Sequence, residues 1–159
     1  MITGSLTLFA QTDRVDSFPL NTGDIAFNPA LDDSSFTVCN PNAVFQYYNT
    51  GSYYKQHKRE IEQYFKHNYH MPVQRAGQTG YVTIRFIINC SGKTGRFRMY
   101  ELDDHYQPYT FDAGISSQLM TLTKGLSNWQ PAEYKNKIYD SYQYITFKLT
   151  KGAIECVLP

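Results

Sequence analysis

The chain has 159 residues, a formal net charge of +1, and only 18% charged against 16% aromatic side chains. That length suits one well-buried core with an N-terminal elaboration rather than two comfortable domains, and the near-neutral balance offers no basic face for nucleic acid. No run approaches the roughly 20 apolar residues of a membrane helix, and the mixed cluster Lys55, Lys58, Arg59, Glu60 and Glu62 reads as a solvated helix face.

In chain order, Ser5 to Ala10 is a short apolar run ending Leu8, Phe9, Ala10, Gln11. It is similar to the end of a secretory signal and its cleavage site, without a basic n-region ahead of it. Residues 1–11 are therefore expected to be the remnant of an export signal, or else a peripheral strand or cloning remnant. Residues 12–50 read as an N-terminal arm. From Phe18 to Asp33 the chain carries Pro19, Asn21, Gly23, Asn28, Pro29 and few apolar residues, which predicts extended structure. Asn40 followed by Pro41 predicts a short helix through Tyr48. Residues 51–159 form the expected domain. Its first element is a helix from about Tyr53 to Tyr69, capped by Ser52, with Tyr54, Ile61, Phe65 and Tyr69 on one stripe.

Tyr81 to Cys90 alternates strictly, Val82, Ile84, Phe86, Ile88 and Cys90 on one face and Thr83, Arg85, Ile87 and Asn89 on the other. That period of two predicts a strand with one face in the core and one in solvent. Gly92 and Gly95 are expected to supply positive φ in a tight turn, and Arg96 to Leu102 alternates again through Phe97 and Met99, completing a hairpin. Asp112 is placed to cap a helix whose Ile115, Leu119, Leu122 and Leu126 form one apolar stripe, with Gly125 at its end. Trp129, two residues before Pro131, is positioned to plug the seam between helix and sheet. Asn136 breaks the chain, and Tyr144 to Leu149 reads as a strand with Ile145, Phe147 and Leu149 inward. Behind it, Thr150, Lys151 and Gly152 make a turn, and Ile154, Cys156 and Leu158 alternate. The tail either folds back as one more strand or frays.

The predicted fold is α+β, a β-β-α-β antiparallel sheet covered on one face by helices, with an extended N-terminal arm. Taken together, Gly80, Val82, Ile84, Phe86, Ile88, Asn89, Gly92, Leu119, Leu122, Trp129, Pro131, Ile145, Phe147 and Leu149 resemble the C-terminal domain of TonB, in the stand-alone form of the Bacteroidetes type. The likeness extends to the lead-in helix with Ile61, Tyr64, Phe65, Asn68 and Pro72, and covers about the last two thirds of the chain. It gives Trp129, Pro131 and Gly92 structural roles, as the hairpin turn gives Gly95. It also implies a periplasmic or exported location and a last strand whose edge accepts a short peptide by β-augmentation, here Gln143, Tyr144, Ile145, Thr146, Phe147 and Lys148. A TonB-type energy transducer adds an N-terminal membrane helix and a proline-rich spacer, neither of which is among these residues. The expectation is thus a non-enzymatic envelope interaction module, not itself a complete energy transducer. Should the tail fold back, the family's binding edge would be self-capped, and attention would pass to a solvent face carrying Thr83, Arg85, Arg96 and Arg98.

Cys39, Cys90 and Cys156 lack metal-type spacing. An oxidising compartment would favour a Cys39–Cys90 bridge tying the arm to the sheet, the alternative being three buried free thiols. No catalytic constellation, phosphate-binding glycine loop, cofactor or metal site is expected. His67 and His70 share a helix face, but near a helix end histidine more often serves as a favourable cation, and Asp103, Asp104 and His105 read as a polar loop. The 14 tyrosines support a second possibility, an aromatic-lined binder of envelope glycan or peptidoglycan.

Overall fold

The computed structural model describes residues 24–46, 58–72 and 77–158. Along them run β1 (Val44–Phe45), α1 (Lys58–Asn68), β2 (Gly80–Ile88), β3 (Thr94–Asp103), α2 (Ala113–Gly125), β4 (Ala132–Tyr134), β5 (Lys137–Thr150) and β6 (Ala153–Leu158). The fold is α+β, a six-stranded mixed sheet with two helices. Sequence positions 1–23, with the signal-like run, lie outside the described residues, as do Tyr47, Tyr48, Ser52 and Tyr54.

Alternation along β2 works as the sequence predicts. Val82, Ile84, Phe86 and Ile88 are fully buried on one face, where they meet Ile145, Phe147 and Leu149 of β5 in antiparallel register. Both helices cover this face. From α1 it receives Phe65, which meets Phe147 edge-on at 4.7 Å, and just beyond the helix Tyr69, whose hydroxyl donates to the Gly152 carbonyl at 2.7 Å. Ile115, Leu119 and Leu126 supply the stripe of α2 and its C-cap. Asp112 caps that helix, accepting from the Gly114 N–H at 2.9 Å. Trp129 is 4% exposed and packs edge-on against Phe86 with ring centroids 5.1 Å apart, closing the seam as its position before Pro131 suggests.

Three local expectations are corrected. The helix predicted after Asn40 and Pro41 is a turn followed by β1, which pairs parallel with β5 through Val44↔Asp140 and Phe45↔Ser141. Asn40 still makes the cap-like contact, its Oδ1 accepting from the Asn42 N–H at 3.1 Å, but the turn it closes leads into the sheet, where the Asn40 N–H donates to Asp140 at 2.7 Å. A short strand, β4, was not foreseen. It pairs with the start of β5 across a two-residue turn in which Lys135 and Asn136 both have positive φ, the mirror-image turn that suits a hairpin's twist.

The third concerns Gly95. Gly92 does sit in the left-handed region, at φ 77°, and a Cβ there would lie 2.7 Å from the Trp129 carbonyl oxygen. Gly95 has no positive φ. It lies in β3 under the Phe36 ring, and a Cβ would fall 2.3 Å from Phe36 Cγ. The missing side chain makes room for the arm. Gly95→Ala is accordingly expected to lower unfolding free energy by about 2 kcal/mol, the usual scale of overpacking, as read by urea denaturation. A loss below about 0.5 kcal/mol would show that Phe36 tips aside freely.

Candidate functional site

What the sequence presents as a solvent face is largely roofed by the arm. Ile87 of β2 and Tyr142 of β5 form a second small cluster with Ile25 of the arm, against which Phe36, Val38 and Val44 pack. Residues 24–43 contribute no paired strand of their own; local turns such as the Asp32 N–H to the Asn28 carbonyl meet some of their backbone groups, and side chains of the sheet and loops anchor others.

The first anchor is Arg98. Its guanidinium grips Asp32 with two bonds of 2.7 Å and donates to the Ala26 carbonyl at 2.7 Å. The Arg98 side chain is 17% exposed and that of Asp32 only 2%. The Arg98 hydrogen bonds hold the Asp32 carboxyl below the usual carboxylate range, and the same contact raises Arg98 above its ordinary value. A carboxylate depressed on folding stabilises the protein above its unfolded pKa and loses that contribution as pH falls through the folded one. Asp32→Asn is expected to cost about 2 kcal/mol at pH 7. The gap between wild type and variant should then narrow as pH drops below 3.8, measured by denaturation at successive pH values; a pH-independent gap would refute the ion pair's role.

Beside it, Arg96 takes φ 53° in a bulge of β3 opposite Phe86, which turns its side chain to the arm. There it donates to the Ile25 carbonyl at 3.1 Å and lies over the Phe27 ring. Arg85 lies over the Tyr142 ring at 5.9 Å. The three arginines of the anticipated binding face are thus engaged within the chain: the arm brings carbonyls, a ring and a carboxylate onto Arg96 and Arg98, and β5 brings the Tyr142 ring under Arg85. Clefts line the arm, one of about 370 Å³ beside Arg98 and Tyr100 and another of about 340 Å³ between Leu31, Phe36, Arg96 and Lys124.

The second anchor is covalent. Cys39 and Cys90 form a disulfide with Sγ atoms 2.06 Å apart. Alternation would place Cys90 on the core face, but β2 ends at Ile88, freeing Cys90 to meet the arm. Asn89 organises that exit: its side chain accepts from the Ser91 and Lys93 N–H groups and donates to the Thr37 carbonyl. Behind the disulfide lies Asp140, 1% exposed. It accepts from the backbone N–H of Cys39 at 3.1 Å, Asn40 at 2.7 Å and Cys90 at 2.9 Å. Sequence reasoning missed this residue, since nothing local distinguishes an aspartate that will be buried.

The edge expected to accept a peptide, Gln143 to Lys148, is not free along its length. β5 is an interior strand, paired with β2 from Ser141 to Leu149 and, on its other side, with β6 from Thr146 to Thr150 and with β1 at Asp140 and Ser141. Thr146, Phe147 and Lys148 are therefore covered. In the gap, the Tyr144 N–H donates to the Gln143 side chain at 2.9 Å, so Gln143, Tyr144 and Ile145 offer no long open ladder. The tail folds back because Lys151 and Gly152 both take positive φ, and a Lys148–Glu155 pair at 2.6 Å spans the two strands. Among the described residues, β6 has a strand partner on one side only.

Beyond the arm, the same sheet face carries tyrosines. Tyr81 and Tyr106 stack with centroids 5.1 Å apart, their hydroxyls at 3.3 Å, and Tyr106 is 64% exposed. The hydrogen bond to Tyr106 raises the Tyr81 hydroxyl above its ordinary value. Asp103 is occupied in its turn, accepting from the His105 and Gln107 N–H groups, while Asp104 meets His105 at 2.9 Å in solvent. His67 and His70 are exposed on and just past α1 and join no convergent set of three metal-ligand side chains among the described residues. No helix among those residues is long and apolar enough to cross a membrane. Comparisons with protein-family models, with curated proteins and with solved structures find no match.

Proposed function

We propose that this chain is a non-enzymatic interaction module of the cell envelope, TonB C-terminal-domain-like in architecture, that takes up an extended segment of an envelope protein by strand addition. The observation that carries the reading is the edge at β6. Ile154 and Val157 pack that strand on the core, β5 holds one side of it, and no strand among the described residues pairs with its other side, the arrangement that β-augmentation uses. An exported location is supported by the disulfide, since such bonds persist in oxidising compartments. A second reading, binding of envelope glycan or peptidoglycan, is favoured by the stacked Tyr81 and Tyr106 with the Lys148–Glu155 pair on the neighbouring strands.

Capture from an envelope extract, run beside sedimentation with insoluble peptidoglycan, separates the two. Peptide segments of a captured protein should shift and protect the backbone amides of Ala153–Leu158 in a labelled sample. Sedimentation with peptidoglycan, lost on replacing Tyr106 with alanine, would install the second reading instead. Shifts confined to the arm would overturn both.

A further inference from the structure

We infer that Cys39, Cys90 and Asp140 constitute a redox-gated metal site: reduction of the disulfide converts the arm's covalent anchor into a pair of thiolates that, with the buried carboxylate, take one soft divalent cation of the zinc type. The inference stands independently of the strand-addition reading.

Convergence comes first. The two sulfurs and a carboxylate oxygen lie within 4.8 Å of one another, although they come from the arm, the β2–β3 turn and β5. The Cα atoms of the cysteines are 6.1 Å apart. Two thiolates bound at about 2.3 Å around a tetrahedral ion need sulfurs roughly 3.8 Å apart, a separation that side-chain rotation reaches with the backbone in place.

The carboxylate is already oriented. Of about four lone-pair sites on a carboxylate, Oδ1 uses two on the Cys39 and Cys90 N–H groups and Oδ2 uses one on the Asn40 N–H. One site on Oδ2 is left for an ion. Hydrogen bonds that fix a ligating group in this way are a regular part of metal sites. The bonds also tie the ligand set together, because two of the three N–H donors belong to the cysteines themselves.

Charge supplies the driving force. Among the described residues Asp140 has no Lys, Arg or His ion-pair partner, and three N–H dipoles stabilise its single negative charge. Reduction places two ionisable thiols against that charge. A divalent cation offsets two of the three negative charges that two thiolates and the carboxylate bring together, and thiolate ligands select zinc-type ions over magnesium or calcium. Access is open at Cys39, which is exposed, while Cys90 is half-buried. The chemistry balances with a dithiol reductant: its two thiols become a disulfide as the Cys39–Cys90 bond becomes two thiols, and each thiol then releases one proton to water on binding the ion. The other convergent group, Asp103, Asp104 and His105, lies in an exposed turn whose hydrogen bonds already account for it.

The test uses the full chain in a Cys156→Ser background, so that only two thiols remain. A phosphine reduces the disulfide, becoming the phosphine oxide with oxygen from water, and Co2+ is then added as a spectroscopic probe. The expected result is a thiolate-to-cobalt charge-transfer band in the near ultraviolet that saturates at one equivalent and is displaced by Zn2+. Asp140→Asn should weaken Co2+ binding at least tenfold. Absence of the band, or a band unchanged in Asp140→Asn, would overturn the proposal. If that variant fails to fold, X-ray absorption of the zinc-loaded Cys156→Ser protein decides instead: two sulfurs plus oxygen ligands support the site, and any other sulfur count refutes it.

Discussion

Replacing Cys39 and Cys90 together by serine is expected to lower the free energy of unfolding by about 4 kcal/mol. The bridge joins positions 51 apart in sequence, and closing a loop of that length removes entropy from the unfolded chain on this scale. For a domain with a marginal total stability this is a large share. Urea denaturation of the double variant beside the wild type measures it. Amide exchange should locate the effect: residues 36–40 and 89–93 should lose protection first, while β2 and β5 open only with global unfolding. A difference of less than about 1 kcal/mol would mean that Arg98 and Asp32 seat the arm without covalent help.

Asp140→Ala should be comparably severe, about 4 kcal/mol. Removing the carboxylate leaves three backbone N–H groups without their acceptor in part-buried positions, and an orphaned donor costs about 1–3 kcal/mol where water does not replace the acceptor, with charged acceptors at the upper end. Asp140→Asn keeps one acceptor oxygen but turns an NH2 group toward an N–H donor, so its loss should fall roughly midway. The two sites share the same cysteine backbones, and the combined variant should lose clearly less than the sum of the separate losses. Full additivity, measured by a double-mutant cycle, would show that Asp140 and the disulfide hold the arm independently.

The core face was legible because it is a local signal. Val82, Ile84, Phe86 and Ile88 share a face by the period of a strand, and Ile115, Leu119 and Leu126 share one by the period of a helix, whatever else the chain does. In the tail, Lys151 and Gly152 between two alternating runs marked a turn but left open whether the last residues fold back or fray. Arg85, Arg96 and Arg98 show the converse. Periodicity placed Arg85 opposite the core, and the structure keeps it there, but whether that face meets water or the arm depends on residues some seventy positions away.

Local pattern by itself therefore determined β2, β3 and the core stretch of β5, the helices α1 along its described part and α2 with the Asp112 cap, and the burial of Trp129. Only the tertiary structure decided that the arm roofs the second face, that Gly95 serves Phe36 rather than a turn, that Asp140 gathers the disulfide's backbone, and that among the described residues β5 is paired on both sides whereas β6 is paired on one. The physical reason is range. Hydrogen bonding within an element and burial of its apolar face repeat over three or four residues and leave a mark on neighbouring side chains, whereas a carboxylate that meets an N–H about a hundred residues away leaves none.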